Sequence, residues 1–595
     1  MKLQSILLPD KDICSEEELY FHRDGKRIVF DGYFNLFYLE KHHKYCDIDD
    51  LALVLRCRGI EELRILHDKR VVSSLKLGPS KDNERIDIEL PYKDFVEGVL
   101  YFEVEVLDEK DWEVQGYYAA RCLNIVRTEI AVNICTFRRE KYVTRNMDVL
   151  KRWLTRKELD HRIPEVAEHL HFFIIDNGKT LQEQGEFQNI LAEIQAGDSI
   201  AGIDVIPNAN TGGAGGFGRG MQEAIRRREE LGLTHLLMMD DDASFDPDVF
   251  IRLYGFLSML KAEYRGITIG GALLREDHQY IQHAAGEWFT NFKVINEHPL
   301  LDLRKYDNCT MEYQLSTVRE HKLYGAWWCC CYSMDAVKKE NLPLPIFVHH
   351  DDIQFGLREV KRGIVFLNGI GVWHQGFELV FPGVKQYYNM RNTLITMNMY
   401  EPETLKKRLK YWTIRRYIGM LISYRYADCE FIYQGLMDFL KGEKWLFTNN
   451  PEDIHIKLMR IYKEICSFQK IDDAVEELYG SVAGRLISET SSISRQISVD
   501  DLRGYYDSDK YKAGLIRKIT FNGWFLPSRK EIKVITPLNS PWDVFRYRRI
   551  LLYEPATGKA CLMKKDSKEL FKGIVRMISM CRAIDSWKRK NDCLK

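Results

Sequence analysis

The stretch that decides the fold runs from Asn208-Ala-Asn-Thr-Gly-Gly-Ala-Gly-Gly-Phe-Gly-Arg-Gly220 to the acid cluster Asp240-Asp241-Asp242. The glycine run lies between a strand-like segment, 203–206, and a helix-like segment, 221–231, so its backbone is expected to turn sharply and present N–H groups at a helix start. That geometry favours an anion such as pyrophosphate. The acids follow Leu236-Leu-Met-Met239, which is typical of a buried strand, so they stand at that strand's carboxyl end.

Three adjacent carboxylates repel one another unless a cation or a basic neighbour offsets them. Because alternate side chains share one face of an extended segment, we expect Asp240 and Asp242 to face the ligand. Together with His374 they would form a site for Mn²⁺ or Mg²⁺, and the imidazole favours Mn²⁺. An exposed acidic turn, continued by Asp246 and Asp248, is the alternative without a metal.

Bulk composition excludes some functions. The chain has 595 residues, too many for one hydrophobic core, so several domains are expected. Its 86 basic and 87 acidic residues nearly balance, so no overall field attracts nucleic acid, and we expect no nucleic-acid partner. The fourteen cysteines include no CxxC pair, and three stand together at Cys329-Cys330-Cys331, which indicates reduced thiols in a cytoplasmic protein.

Membrane contact is expected to be limited. No apolar run reaches the roughly 18 residues that a spanning helix needs, and the start of the chain has too short an apolar core for a signal peptide. A last amphipathic segment, 569–580, is followed by the basic Trp587-Lys-Arg-Lys590. Any membrane contact would therefore be peripheral, on the inner face of the cell membrane.

Three domains are predicted from changes of pattern along the chain. Residues 1–122 contain short alternating segments separated by turns, typical of a β-sandwich or jelly roll that serves either assembly or carbohydrate binding. Residues 123–395 alternate strands and helices, which predicts an α/β domain with a mostly parallel sheet. Residues 396–595 are expected to be mainly helical, with the polar, serine-rich segment 481–509 as a linker or mobile loop.

Polar side chains end the successive strands of the predicted sheet. Thr136 and Arg138 follow the first strand, Asp176 ends the second, and Asn208 ends the third. The carboxyl ends of parallel strands meet at one edge, so these side chains are expected to face one cleft together with the acid cluster.

A second interpretation of the glycine run is a dinucleotide site. The run contains Gly213-x-Gly215-x-x-Gly218 with acids some twenty residues later, which resembles the fingerprint of a Rossmann-type NAD(P)-dependent oxidoreductase. A ribose hydroxyl needs only one carboxylate, whereas three are present at Asp240 to Asp242. A third hypothesis is a non-catalytic glycan-binding assembly protein.

A later segment offers a catalytic carboxylate beside aromatic residues. Asp351-Asp352 precede a helix-like segment, so one carboxylate can cap the helix while the other points into the cleft. Trp327-Trp328 are either core residues or a platform for sugar rings, whose C–H groups pack on tryptophan faces. A carboxylate that faces such a platform would act as general base toward a sugar hydroxyl.

Taken together, the motifs resemble one family, the inverting nucleotide-sugar glycosyltransferases of the GT-A fold, and within it the galactofuranosyltransferases that use UDP-galactofuranose. The resemblance covers roughly residues 125–395. It implies a GT-A, Rossmann-like domain with an N-terminal β-sandwich and a C-terminal mainly helical region. The motifs that carry it are Thr136-Phe-Arg138, Asp176-Asn-Gly178, Asn208 to Gly220, Met239-Asp-Asp-Asp-Ala243, Trp327-Trp328, His350-Asp-Asp-Ile-Gln-Phe-Gly-Leu-Arg358, Trp373-His374 and Arg391-Asn392.

The resemblance also implies a role for individual residues. It assigns the donor nucleotide to Thr136, Arg138, Asp176, Asn208, Gly213, Asp240 and Asp241. It assigns Mn²⁺ or Mg²⁺ to Asp240, Asp242 and His374, and the acceptor to Trp327, Trp328 and His350. It assigns catalysis to Asp352 as the base, with Asp351 as the second candidate for that role. Two positions depart from the family pattern: His350 stands where an aromatic residue is usual, and Cys329 follows the tryptophan pair.

The expected partners follow from the same resemblance. The donor would be a UDP-sugar, UDP-galactofuranose in particular, and the acceptor a glycan or lipid-linked glycan in cell-surface polysaccharide synthesis. A homo-oligomer is compatible with the sequence.

Overall fold

The computed structural model describes residues 1–155, 165–197, 202–476, 478, 481–506 and 512–592. The chain forms two compact units. The first consists of Met1–Trp288, Val294–Leu344 and Asp352–His374, and the second of Phe289–Lys293, Pro345–Asp351 and Gln375–Lys595. The first unit thus joins the predicted N-terminal domain with most of the predicted α/β domain.

The N-terminal part of the first unit is built from antiparallel strands, as its alternating segments predict. One sheet has the order β1-β10-β5-β8, and the other has β2-β3-β9-β6-β7 with β4 against β9. Face-to-face packing of these sheets as a sandwich stays a prediction. The elements are β1 (Lys2–Ser5), β2 (His22–Asp24), β3 (Arg27–Val29), β4 (Phe37–Tyr38), α1 (Leu39–Tyr45), β5 (Asp50–Arg58), β6 (Ile60–His67), β7 (Arg70–Lys76), β8 (Arg85–Leu90), β9 (Val99–Val106) and β10 (Glu113–Arg121).

A larger sheet, with helices between its strands, follows in the same unit. Its path is β13-β12-β11-β14-β20-β15-β16-β19, and β21 pairs with β15. The elements up to the acid cluster are β11 (Ile130–Thr136), α2 (Glu140–Leu154), β12 (Leu170–Asp176), α3 (Gly185–Ala196), β13 (Gly202–Pro207), α4 (Gly212–Arg226), α5 (Arg228–Leu231) and β14 (His235–Asp240). Those after it are α6 (Asp248–Ser258), β15 (Thr268–Arg275), β16 (Ile281–Ala284), β17 (Glu287–Thr290), β18 (Lys293–Asn296), β19 (Leu301–Asp302), α7 (Tyr306–Cys309), α8 (Glu312–Leu315), β20 (Cys329–Ser333), α9 (Asp351–Glu359) and β21 (Ile364–His374).

Strand direction places the predicted site residues at one edge of this sheet. Strands β11 to β14 run parallel, and their register pairs Thr136 with Asp176 and Cys135 with Asp240. Strand β20 is antiparallel between β14 and β15, while β15 and β21 are parallel and pair Arg275 with His374. Asp176, Asp240 and His374 therefore all stand at carboxyl ends on the same edge. Every residue of β12 is buried, as expected for a strand that is covered on both faces.

Helix α4 begins earlier than the sequence indicates. The prediction placed the helix start at Met221 after a glycine turn, whereas the helix begins at Gly212, which has a φ of +69°. The glycines inside the helix allow close packing on β11, because a Cβ at Gly216 would overlap the Cys135 thiol and one at Gly220 the Asn133 side chain. The glycines are therefore explained by the close approach of α4 to β11, and not by a longer turn before the helix. The free N–H groups of the helix start therefore lie at the beginning of the run.

Substitution of Gly220 tests this packing. Gly220→Ala is expected to destabilise the fold by about 1–3 kcal/mol, because Asn133 is fully buried and its amide is held by the Phe217 carbonyl at 3.0 Å. The matched control is Gly218→Ala in the same helix, where the nearest atom to the new Cβ would be Pro343 Cδ at 3.7 Å. That variant should be neutral or gain up to about 1 kcal/mol of helix propensity. Denaturant unfolding of both variants measures the difference, and equal stabilities would contradict the packing account.

The second unit is mostly helical but also contains a sheet that the sequence analysis missed. Strands β22 to β25 form it in the order β22-β25-β24-β23. The elements are α10 (Lys385–Tyr400), α11 (Pro402–Ile422), α12 (Tyr426–Leu440), α13 (Glu443–Thr448), α14 (Pro451–Ile465), β22 (Gln469–Lys470), α15 (Ile471–Ala474), α16 (Ser481–Gln496), α17 (Val499–Tyr506), α18 (Leu515–Ile519), β23 (Lys530–Ile535), β24 (Tyr547–Glu554), β25 (Lys559–Lys564) and α19 (Ser567–Asp592).

The serine-rich segment 481–509 was predicted to be a linker or mobile loop, and that prediction was wrong for the part that the structure describes. Most of it lies in α16 and α17. Leu486 and Leu502 are fully buried, and Leu486 packs in a core with Val534 and Leu551 of the sheet. A few buried apolar residues thus hold these largely polar helices in the second unit. Among the described helices none is both long and apolar enough to cross a bilayer, as predicted.

Candidate active site

The structure brings the three predicted metal ligands together. One ligand atom from each of Asp240, Asp242 and His374 lies within 4.8 Å of the other two, and His374 Nε2 is 3.4 Å from Asp242 Oδ1. Two carboxylate oxygens and an imidazole nitrogen are donors that suit Mn²⁺ or Mg²⁺. The donor set and its spacing therefore fit a divalent cation.

Backbone pairing fixes this geometry. The end of β21 is joined to the acid turn by two hydrogen bonds between Ser244 and Trp373, with N···O distances of 2.9 and 2.8 Å. His374 follows directly and is thereby held beside Asp242. The Asn146 amide of α2 donates to the carbonyls of Asp241 and Ala243 at 3.1 and 2.9 Å, which holds the turn from the other side. The ligand atoms are therefore positioned by strands and a helix.

Arg139 is a site residue that the sequence analysis missed. Its guanidinium donates to Asp241 Oδ1 at 3.1 Å and is also ion-paired with Asp242. The predicted neighbour, Arg138, is exposed and has a φ of +54°. Three carboxylates in one turn need a positive charge nearby, and this requirement is the signal that could have pointed to an arginine in the segment after β11.

The carboxylates of Asp240 and Asp242, the two candidate metal ligands, have opposite pKa shifts. Burial, with the charge of Asp242 nearby, raises the pKa of Asp240 to about 7. Burial also opposes ionisation of Asp242, but the hydrogen bond and charge of His374 and the charge of Arg139 outweigh it and lower its pKa to about 2. Asp242 is thus the permanently charged carboxylate of the pair, and a cation would favour the charged form of Asp240 as well.

Asp352 is connected to this cluster through the backbone of the tryptophan pair. The N–H of Asp240 donates to the Trp328 carbonyl at 3.4 Å, and the N–H of Trp327 donates to the Asp352 carboxylate. Asp352 Oδ1 also accepts from the Ile353 N–H at 2.7 Å, in the first turn of α9. Trp328 therefore contacts the end of the strand that carries Asp240, and Trp327 contacts the candidate base Asp352.

Burial makes Asp352 a stronger base than an exposed aspartate. Desolvation raises its pKa to about 6, although the surrounding backbone N–H groups stabilise the charged form. A carboxylate with a pKa near the working pH can be ionised and still hold a proton well. This combination suits a general base.

Glu287 and Tyr324 form a buried pair beside Asp352 that the sequence did not reveal. The Tyr324 hydroxyl donates to Glu287 Oε2 at 2.7 Å, and the Tyr324 N–H donates to the Glu287 carbonyl at 2.9 Å. Burial, with a smaller contribution from the charge of Asp352, raises the pKa of Glu287 to about 8, although the hydrogen bond from Tyr324 opposes the shift. Glu287 is therefore neutral at pH 7 and adds no second negative charge near Asp352. No local motif marks this pair, because the residues are 37 apart in sequence.

The residues assigned to the nucleotide lie at the expected edge, but several hold the loops there. Asp176 accepts from the N–H groups of Gly178 and Leu181 at 3.0 and 2.9 Å, so both carboxylate oxygens stabilise the turn after β12. The Asn208 amide donates to Asn177 Oδ1 at 2.8 Å. Thr136 is buried at the end of β11, and Gly213 lies in the first turn of α4. The N–H groups of that turn face the same sheet edge and suit a phosphate.

The two tryptophan rings are largely covered by other side chains. Trp327 is 3% exposed and packs edge to face on Phe217 and Phe355. Trp328 is 8% exposed, and its indole N–H donates to the Gly271 carbonyl at 3.1 Å. Both rings therefore pack inside the first unit, and the backbone N–H of Trp327 donates to Asp352.

His350 and Asp351 belong to the second unit. His350 is buried, its two ring nitrogens are 3.0 Å from the hydroxyls of Thr396 and Thr393, and burial lowers its pKa to about 3. The neutral ring is thereby fixed, and neither nitrogen is left for a sugar hydroxyl. Asp351 is buried at the first position of α9.

The Arg391-Asn392 motif shapes the segment that contains His350. Arg391 donates to the Ile346 carbonyl at 2.7 Å, and the Asn392 amide donates to the carbonyls of Val348 and His349 at 2.8 and 2.9 Å. Phe347, His349 and His350 all have left-handed φ values between 65° and 72°. Non-glycine residues adopt that conformation only where their surroundings enforce it. The motif therefore has a structural role in the second unit.

Comparison with known proteins identifies similar enzymes. No family model matches the chain. Galactofuranosyltransferase GlfT2 of Mycolicibacterium smegmatis is 22% identical over 445 residues, which are 71% of this chain and 65% of that protein. Galactofuranosyltransferase GlfT2 of Mycobacterium tuberculosis is 25% identical over 260 residues, 41% of this chain and 40% of that protein. The chain resembles galactofuranosyltransferases, as its motifs predict, and it spans less than two thirds of the length of each relative.

One solved structure with a detectable likeness is the mannosyltransferase PcManGT from Pyrobaculum calidifontis in complex with GDP-Man and Mn²⁺. It is 11% identical, and the match covers 63% of this chain and 83% of that chain with a TM-score of 0.27.

Proposed function

We propose that this protein is a metal-dependent, inverting glycosyltransferase that moves galactofuranose from UDP-galactofuranose to a glycan acceptor during cell-surface polysaccharide synthesis. The observation that supports it most is the link made by Trp327-Trp328, whose backbone contacts both the strand end of the metal-ligand cluster and Asp352. A diphosphate site beside a general base is the arrangement that a single displacement on a nucleotide sugar requires. The similarity to galactofuranosyltransferases supports the choice of sugar.

In the proposed donor half, the first turn of α4 offers backbone N–H groups to the diphosphate. The loops stabilised by Asp176 and Asn208, with Thr136, Arg138, Gly213 and Asp241, would surround the nucleotide. Asp240, Asp242 and His374 would hold the cation, which when bound offsets negative charge on the diphosphate. Arg139 donates to Asp241 and is ion-paired with Asp242, so it offsets part of the negative charge of this turn.

In the proposed acceptor half, Asp352 accepts the proton of the attacking hydroxyl while that oxygen forms its bond to the anomeric carbon. The bond from the anomeric carbon to the diphosphate breaks as UDP leaves from the opposite face, so the anomeric configuration inverts. The Ile353 and Trp327 N–H groups fix the orientation of the carboxylate, and the neutral Glu287 avoids repulsion. Trp327 and Trp328 would shape the acceptor side, and the acceptor would be a free or lipid-linked glycan at the inner face of the cell membrane.

The pH dependence of transfer reports the state of Asp352. The base works when ionised, and its pKa is raised to about 6, so kcat/KM should rise about tenfold per pH unit below that value and level off above it. Glu287→Gln should keep this acidic limb, because Glu287 is already neutral there. Initial rates of transfer, measured at saturating metal over the pH range on both sides of pH 6, test this dependence. A rate that stays constant down to pH 5 would exclude Asp352 as the titrating base.

Ligand stabilisation separates the proposal from a dinucleotide-dependent oxidoreductase. UDP with Mn²⁺ should raise the thermal midpoint, since a ligand that binds only the folded state stabilises it. UDP with EDTA should do so much less, and NAD not at all. Stabilisation by NAD but not by UDP with Mn²⁺ would favour the oxidoreductase instead, and no response to either would favour a non-catalytic glycan-binding protein.

A further inference from the structure

A cavity lies within the first unit, away from the candidate active site. Its volume is about 420 Å³. It is lined by the end of α1, by residues 264–267 before β15, by residues 317–323 before β20, and by residues 360–364 between α9 and β21. It therefore opens at the amino-terminal edge of the sheet, where β21 begins at Ile364, whereas the metal ligand His374 ends the same strand. Eleven residues of strand separate these two edges by roughly 30 Å.

The lining of this cavity is strongly basic. Lys44, Arg319, Lys322 and Arg362 all line it, and none of the four forms an ion pair with a carboxylate in the described part of the chain. The chain as a whole carries a formal charge of −1, so a cluster of four uncompensated cations is a local feature. The contacts made by these side chains are to neutral groups: Lys44 to the Thr317 hydroxyl at 2.8 Å, Lys322 to the Leu357 carbonyl at 2.6 Å and Arg319 to the Ser316 carbonyl at 2.6 Å.

Nearby acidic groups do not neutralise the cluster. Glu40, on α1, accepts from both the N–H and the hydroxyl of Thr317, at 3.0 and 3.1 Å. Glu359, at the end of α9, is paired with Arg358 and Lys361 outside the lining. The Arg362 guanidinium has no hydrogen bond or ion pair to any described residue. Its donors are therefore available to a ligand.

The chemistry of the lining selects a phosphorylated ligand. Guanidinium and ammonium groups together bind phosphate oxygens through charge-assisted hydrogen bonds, and arginine does so with two parallel donors. The rings of Tyr45 and Tyr264 pack edge to face, 4.9 Å apart, and add an aromatic wall that can cover a sugar or base. The volume is within the range of small-molecule sites and well above that of a bare phosphate.

We propose that this cavity binds a phosphate or diphosphate ester of about sugar-phosphate size, at a site separate from the candidate active site. Lys44, Arg319, Lys322 and Arg362 contact the phosphate, and the tyrosines contact the group that it carries. The phosphate can belong to a soluble metabolite or to a lipid headgroup. The proposal does not depend on the identity of the reaction at the other edge of the sheet.

Calorimetry with inorganic pyrophosphate tests the shared chemistry. The full chain is titrated in EDTA, so that no metal-bound diphosphate site contributes. Lys44→Gln combined with Arg362→Gln should weaken binding about tenfold or more, since both side chains are exposed and contribute charge-assisted contacts. Arg265→Gln combined with Lys361→Gln is the matched control, because it removes the same charge from nearby exposed positions that do not line the cavity. An unchanged thermal midpoint confirms that each variant is folded.

Two further probes identify the source of the phosphate. Glucose 1-phosphate represents a soluble ester, and phosphatidic acid in phosphatidylcholine vesicles represents a headgroup. Binding of glucose 1-phosphate that is weakened by the Lys44→Gln and Arg362→Gln pair but not by the control pair supports the soluble source. Flotation of the protein with the vesicles that shows the same dependence supports the lipid source. Absence of pyrophosphate binding would overturn the proposal, because the cavity would then hold no phosphate. Equal losses of affinity in the two double variants would also overturn it, because binding would then depend only on the overall positive charge of this surface.

Discussion

Replacement of Asp352 by asparagine is expected to abolish sugar transfer while UDP binding is retained. Asparagine has nearly the same shape, and its amide oxygen can still accept the hydrogen bond from the Ile353 N–H, which is 2.7 Å long in the present structure. It cannot take a proton from the hydroxyl of the sugar acceptor. Loss of a general base typically lowers kcat by about 10²- to 10⁴-fold. The affinity for UDP with Mn²⁺, measured by calorimetry, should stay close to that of the parent protein, because Asp352 is not among the clustered metal ligands.

The neighbouring aspartate provides the matched control. Asp351→Asn makes the same chemical change one residue earlier, at the first position of α9. This variant should retain most of the transfer activity. Near-normal turnover by Asp352→Asn would exclude that residue as the base, and loss of turnover in Asp351→Asn alone would move the assignment to Asp351.

Replacement of Asp242 is expected to remove metal-dependent UDP binding. Asp242 is the carboxylate whose pKa is lowered to about 2, so it is fully charged at neutral pH even before a cation binds. Asp242→Asn removes that charge beside His374 and Arg139. Because changes to groups that merely support metal ligands cost about 10- to 100-fold in affinity, loss of a ligand should cost on the order of 100-fold or more. Calorimetric titration of Mn²⁺, with and without UDP, measures both affinities.

Asp246→Asn is the control for this variant. Asp246 lies just beyond the same turn and accepts from the Asp248 N–H at 2.8 Å, which asparagine can also do, but it is not one of the clustered ligands. The control should bind Mn²⁺ and UDP like the parent protein. Equal affinities in the Asp242 variant and its control would contradict the assignment of Asp242 to the metal.

The place of the acid cluster in the fold was predictable because the end of a buried strand can be located from the sequence. The apolar run 236–239 locates a buried strand, and three carboxylates directly after it must stand at its carboxyl end. The parallel order of β11 to β14 then brings Asp176 and Asp240 to one edge without further information. His374 was named as a partner of these acids without a predicted strand end, and the fold brings it to the same edge because it ends β21 beside β15.

Other site features depend on contacts between distant segments and were missed. Glu287 and Tyr324 meet only when β17 returns beside the segment before β20, and neither has a local signature. Arg139 adjoins the predicted Arg138, and only the fold determines which of the two turns toward the acids. The covered state of the Trp327 ring likewise follows from packing on Phe355 of α9, which sequence spacing does not specify.

Two errors about secondary structure have a similar cause. Glycine lowers helix propensity, so the run 212–220 indicates a turn, but close packing of α4 on β11 outweighs that cost. The serine-rich segment 481–509 is polar overall, yet a few buried residues such as Leu486 fix its helices against the sheet of the second unit. In both places tertiary contacts overrode local preference.

The most direct test of the proposed function is incubation of the protein with Mn²⁺, a glycan acceptor and a panel of UDP-sugars, with release of UDP and glycosylated product recorded. The proposal predicts product from UDP-galactofuranose, with inverted anomeric configuration, and little or none from UDP-glucose or UDP-N-acetylglucosamine. Transfer from either of those sugars but not from UDP-galactofuranose would contradict the proposed donor. Absence of transfer from every UDP-sugar would contradict the proposed function itself.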